Sequence, residues 1–258
     1  MFKTLNRHCS LALLTLLTAT SCSGDSNPAR PSSTLPLPSP LPPGADRALF
    51  VGNSLSEANE LRLIVEALAS AGGHPLFVEA ITYGGVSLED HWGLGTQDRI
   101  AAGAWRWVVL QQGPSSLLSS RVNLREWTRR FDAVIRQAGG VTALYMVWPE
   151  SSRRNVFADV SASYRLAAQD VDGILLPAGD AWLAAWRLDP TLPLYGSDGF
   201  HPSAAGSYLA ALTIYGGLTG NSTMGLPARL RLRSGTSVDI DPGIAPRLQA
   251  AADEALGR

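Results

Sequence analysis

A serine hydroxyl becomes a nucleophile where a base can take its proton, a second group orients that base, and N–H donors receive the charge built up on the attacked oxygen. One stretch suits the base and its orienting group. In Asp198-Gly199-Phe200-His201-Pro202 a carboxylate stands three residues before an imidazole. At that spacing Asp198 can lie beside the ring and receive its Nδ1 proton, which leaves Nε2 free for a hydroxyl. The alternative is structural. Asp is a good N-cap and Pro suits a first helical turn, so Asp198 could cap a helix near Pro202 and leave His201 as a loop residue. The matching hydroxyl is Ser54, in Leu49-Phe50-Val51-Gly52-Asn53-Ser54-Leu55-Ser56. There an apolar run turns through Gly-Asn-Ser into a helix-like segment, whose start offers unpaired N–H groups. Such a set performs acyl transfer. His91, between Asp90 and Trp92, is a competing base but reads as structural within a short helical piece. His74, at a turn between Gly73 and Pro75, reads as structural too.

The elements that must position these residues alternate. Strands are expected over residues 47–51, 76–81, 105–110, 141–148 and 174–176. Helices are expected over 57–71, 124–138, 156–169, 181–187 and 203–218, with shorter helical pieces over 88–104. No element is assigned beyond residue 218. The strands are apolar throughout, the mark of a mainly parallel sheet covered on both faces. The expected fold is a three-layer α/β/α sandwich, flavodoxin-like, with five strands. Sites in such folds form at the carboxyl ends of strands. Ser54, Gly84-Gly85 and Gln111-Gln112 all follow strands, and Asp198 and His201 share a late loop.

The 258 residues are 45% hydrophobic and 17% charged, with a formal net charge of −1, which gives no sign of a nucleic-acid partner. Residues 1–22 read as an export signal. Lys3 and Arg7 precede the apolar run Leu11 to Ala19, and Ala19-Thr20-Ser21-Cys22 is a small-residue site ending in cysteine. It resembles a bacterial lipoprotein box in which Cys22 becomes the lipidated N-terminus, although Ala19 stands where Leu is usual. Ordinary cleavage is the alternative. Residues 23–45, rich in Pro and Ser, read as an extended linker, and 46–258 as the folded domain. Cys9 and Cys22 are the only cysteines, and Cys9 lies in the signal, so no disulfide is expected in the mature domain. Most of the seven tryptophans are expected in the core, with Trp92 and Tyr195 as candidates to line a binding cleft.

Three blocks in order carry a family resemblance. Gly52-Asn53-Ser54-Leu55-Ser56 is similar to the first block of the SGNH (GDSL-type) hydrolases, which usually reads Gly-Asp-Ser. Gly84-Gly85 resembles the second block, and Asp198-Gly199-Phe200-His201-Pro202-Ser203 the last, Asp-x-x-His-Pro. The resemblance implies a Ser54–His201–Asp198 triad and an oxyanion hole from the N–H groups of Ser54 and Gly85. The third block departs from the family. Leu110-Gln111-Gln112-Gly113-Pro114-Ser115-Ser116 lacks the usual Asn donor and resembles the Gln-Gly-Glu block of the sialate and acetylxylan esterase branches. Gln112 is the implied third donor, with Gln111 the fallback. No metal or cofactor is implied. The expected activity is an exported serine esterase acting on acetyl or short acyl esters, carbohydrate esters among them, at the periplasm or cell surface and lipid-anchored to a bacterial membrane. Acyl transfer to a sugar hydroxyl, or glycan binding without catalysis, are the alternatives.

Overall fold

Strand β1 (Asp46–Gly52) is paired along both of its edges. It runs parallel to β2 (Leu76–Thr82) on one side and to β3 (Trp107–Leu110) on the other. The sheet continues in parallel through β4 (Val141–Tyr145) to β5 (Ile174–Leu176), giving the order β2-β1-β3-β4-β5. This is the five-stranded flavodoxin-like order expected. A computed structural model gives the coordinates and describes residues 44–258. The expected signal, Cys22 and all but the last two linker residues lie outside the described residues.

The strand order dictates the layers. From β1 the chain first moves outward to β2, then crosses back to β3 and on in the opposite direction. With right-handed crossovers, the connecting helices must fall on opposite faces. The connection through α2 (Leu61–Ala71) shares its layer with α8 (Ala204–Thr219), α7 (Ala178–Leu188) and α9 (Ala245–Ala255). On the other face α4 (Thr96–Ala102) packs on α5 (Leu118–Gln137), and α5 on α6 (Phe157–Asp170). Between the layers Leu49, Phe50, Val51, Val108, Leu110 and Leu144 are fully buried. Burial on both faces explains why these strands are uniformly apolar rather than alternating. Helix α8 is apolar on every side because β5 covers one side and α2, α7 and α9 cover others.

Boundaries shift in instructive ways. α5 begins six residues before the expected 124, through a polar turn that Ser120 caps by accepting from Leu117 N–H. Pairing in β4 stops at Tyr145, although Met146, Val147 and Trp148 stay fully buried as irregular chain. Beyond residue 218, where no element was expected, the chain forms the antiparallel pair β6 (Arg229–Arg231) and β7 (Ser237–Asp239), then α9. Trp105, Trp107, Trp148, Trp182 and Trp186 are buried, while Trp92 and Trp127 are half-buried.

Candidate active site

At the end of β1 the chain turns through Gly52 and Asn53 into the short helix α1 (Ser54–Glu57). Asn53 is the N-cap, and its Oδ1 accepts from Leu55 N–H at 3.1 Å. The fully buried Gln111 underpins the corner. Its Oε1 accepts from Asn53 N–H at 2.9 Å and Ser56 Oγ at 2.7 Å, and its Nε2 donates to Asn53 Oδ1 at 3.0 Å and to Gln112 O at 2.6 Å. Gly52 is required here: a Cβ would stand 2.4 Å from Gln111 Oε1. His91 sits beneath the same corner, wholly buried. Its Nε2 donates to Gly52 O at 2.8 Å, and its Nδ1 therefore accepts from Thr96 Oγ1 at 3.1 Å. Burial lowers its pKa, against the opposing pull of the Gly52 bond, which keeps the ring neutral. His91 supports the corner and does not reach into the cleft.

The loop before α8 brings the second half of the constellation to Ser54. His201 Nε2 lies 2.8 Å from Ser54 Oγ, and His201 Nδ1 lies 2.6 Å from Asp198 Oδ2. A carboxylate only accepts, so Nδ1 carries the proton and Nε2 faces the hydroxyl as an acceptor. The other oxygen, Asp198 Oδ1, accepts from the N–H groups of Phe200 and His201, both at 2.9 Å. The bond to the His201 ring foremost, and after it the one from Phe200 N–H, hold the Asp198 carboxyl down at about 2. Asp198 is not the cap of α8. Ser203 takes that role, accepting from Gly206 N–H. The loop is fastened from below by Trp148 Nε1, which donates to Phe200 O at 3.0 Å, and by Ser151 N–H, which donates to Gly199 O at 2.8 Å. Trp148 in turn stacks on Trp182 at 3.7 Å. Tyr195 belongs to this aromatic group, with its hydroxyl donating to Pro149 O, and Trp92 packs on Trp127 and Phe131. Neither residue lines the cleft as expected; Phe200 does.

That cleft, about 560 Å³, is lined by Ser54, Gly85, Gln112, Ser120, Asn123 and Phe200 among others, with no charged side chain in its wall. The N–H groups of Ser54 and Gly85 have no partner among the described residues, and Gly85 takes φ +74°, a conformation that suits glycine. The loop carrying Gly85 is held from two sides. Asn53 Nδ2 donates to Val86 O at 3.2 Å, and Gln112 Oε1 accepts from Leu88 N–H, at the start of α3 (Leu88–Gly93), at 3.2 Å. These backbone partners fix which way round both amides sit. Gln112 thus turns its Nε2 toward the cleft wall. One proton goes to Ser115 Oγ at 2.9 Å, and the other has no partner among the described residues. Gln111 has both amide protons committed at the corner, so it offers no donor to the cleft. Past Pro114 and Phe200 the cleft continues into a second chamber of about 180 Å³, which adds Glu150 and Arg153.

The sheet order, the serine at its switch point and the hydrogen-bonded imidazole and carboxylate define a hydrolase of the flavodoxin-like class. Solved structures place the chain more closely. A candidate SGNH hydrolase from Slackia heliotrinireducens is 27% identical over 67% of this chain and 99% of its own, with TM-score 0.58. A DUF4886 family protein from Bacteroides uniformis matches at TM-score 0.68 and 21% identity, over 82% of this chain and 95% of its own. An acetyl xylan esterase from Geobacillus stearothermophilus matches at TM-score 0.51 and 15% identity, over 71% and 96%. No family model and no curated protein matches the chain. The chain belongs with the SGNH (GDSL-type) hydrolases and is an ester-bond hydrolase.

Proposed function

We propose that this chain is an exported serine esterase that removes acetyl or short acyl groups from a carbohydrate, using Ser54, His201 and Asp198. The observation that carries the reading is the continuous row Ser54 Oγ–His201–Asp198, at 2.8 and 2.6 Å, beside an open cleft. His201 Nε2 takes the hydroxyl proton as Ser54 Oγ attacks the ester carbonyl. The N–H groups of Ser54 and Gly85 and the free amide proton of Gln112 receive the negative oxygen. Asp198 stabilises the imidazolium. His201 returns the proton to the leaving alcohol, and water then repeats the attack to free the acid and restore Ser54.

The substrate reading rests on the cleft wall. Ser87, Ser115, Ser119, Ser120 and Asn123 present neutral hydrogen-bonding groups, which suit a polyhydroxylated and uncharged alcohol better than a long acyl chain. The second chamber gives room for more than one sugar ring. The acetyl xylan esterase among the structural neighbours points the same way. Export and lipidation at Cys22 are proposed from the signal-like start alone. A fluorophosphonate probe is expected to label wild-type protein at Ser54 and to leave Ser54→Ala unlabelled. Acetylated xylo-oligosaccharides are expected to be cleaved with higher kcat/KM than an acetylated monosaccharide. Folded wild-type protein that neither labels nor cleaves p-nitrophenyl acetate would end the esterase reading. Cleavage of p-nitrophenyl acetate without any sugar ester would end the carbohydrate reading only.

A further inference from the structure

Asn59 lies in the single turn between α1, which begins at Ser54, and α2. Its backbone is left-handed, φ 54° and ψ 28°, and Glu60 follows at φ 56°. Two such residues in succession, neither of them glycine, form an uncommon conformation that persists only where surrounding contacts over-determine it. The contacts here are specific. Asn59 Nδ2 donates to Pro202 O at 2.9 Å and to Ser207 Oγ at 2.8 Å, and lies 3.3 Å from Ser203 O. Pro202 and Ser203 directly follow His201. Apart from the Ser54–His201 pair itself, these are the hydrogen bonds that join residues 53–60 to residues 196–207.

We infer that Asn59 is a positioning residue that sets the approach of His201 to Ser54. The inference rests on the proposed roles of those two residues. Helices α2 and α8 also pack together, but through apolar side chains, and apolar packing is non-directional. The Asn59 amide adds direction. It reads two backbone carbonyls and a hydroxyl at the N-terminal end of α8, so the chain after the nucleophile and the chain after the base share one anchor. Displacing a reacting group by about 1 Å can cost about 10²-fold in rate, so a bond of this kind affects turnover more than binding. Pro202 and Ser203 offer only carbonyl oxygens to the Asn59 side chain, so an amide fits there and a carboxylate does not.

The test compares Asn59→Gly and Asn59→Asp with wild type. Glycine takes the left-handed conformation without strain but has no amide; aspartate tolerates that conformation but turns oxygen toward oxygen. For both variants kcat on p-nitrophenyl acetate is expected to fall by about 10–100-fold, with KM within about twofold of wild type. The rate of fluorophosphonate labelling should fall in proportion to kcat, while thermal unfolding of Asn59→Gly stays near that of wild type. Wild-type kcat in either variant overturns the inference, because Asn59 would then serve only its left-handed backbone. A fall confined to KM overturns it as well. An inactive, unlabelled wild type would instead defeat the esterase reading, so the two failures are distinguishable.

Discussion

Asp198 divides its work between two oxygens, one fixing its own loop and one holding the imidazole. Asp198→Asn keeps the size of the side chain but can present an N–H to His201 Nδ1. That would force the proton onto Nε2, where it cannot accept from Ser54. A fall in kcat of about 10³–10⁴-fold is expected, with the fold kept. Because the folded carboxyl is held at about 2, its charge-dependent contribution is present above the ordinary carboxylate range and is lost only as pH falls through about 2. Asp198 should therefore contribute no inflection to wild-type kcat/KM within the ordinary carboxylate range. The two other residues at the site separate similarly. His201→Ala is expected to lower kcat by about 10³-fold or more at little cost in stability. His91→Ala leaves the Gly52 carbonyl with Tyr83 N–H alone, strips the buried Thr96 hydroxyl of its imidazole partner and opens a cavity, so it should lower Tm far more than kcat. The reverse ranking would overturn the choice of base. The Asp198–His201 motif was legible in sequence because the geometry is local: three residues of spacing almost fix the distance.

Contacts between elements were less legible. Two adjacent glutamines at a strand end point to opposite sides, since side chains alternate along extended chain. Gln111 turns inward to bind the Asn53 corner, and Gln112 turns toward the cleft. Their neighbours in sequence gave no sign that Gln111 is fully committed, because its partners lie 58 and 55 residues earlier. The same is true of Asn59, which meets Pro202 across 143 residues. Asn53 shows how such links set residue type. The family usually has Asp there, yet in this chain Nδ2 must donate to Val86 O while Oδ1 accepts from Leu55 N–H and Gln111 Nε2. Asn53→Asp would face a carboxylate oxygen with the Val86 carbonyl and loosen the loop that carries Gly85. Losing an oxyanion donor outright costs about 10²–10³-fold, so displacing Gly85, in the donor role proposed for it, should cost about tenfold in kcat. Substitution by the family's own residue is thus expected to weaken this enzyme. Unchanged kcat would show that the Val86 contact does not position Gly85.

At the scale of the whole molecule, reversal of direction at β1 places the site. The chain leaves β1 toward β2 on one face and later returns to β3 on the other, so the loops after these strands part and open a crevice between them. The alternation of apolar runs made that much readable. The C-terminal segment was not, because it carries no chemical motif and its strands are three residues each. Its apolar spacing was nevertheless present: Leu248, Ala251 and Ala252 occupy one face of α9 and are fully buried, against α7 and α8. Arg233 adds an ion pair to Glu66 of α2, with N–O distances of 3.1 Å. This segment covers the apolar helix α8, whose N-terminal end follows His201, but none of its residues lines the cleft. Its contribution should therefore appear as stability. Leu248→Ala is expected to cost about 2–5 kcal/mol. In a domain of this size that is about 5–15 °C in Tm. Turnover, measured at a temperature where the variant is fully folded, should match wild type. A kcat depressed as far as in the Asn59 variants would mean instead that α9 helps to set where α8 begins, and through it the position of His201.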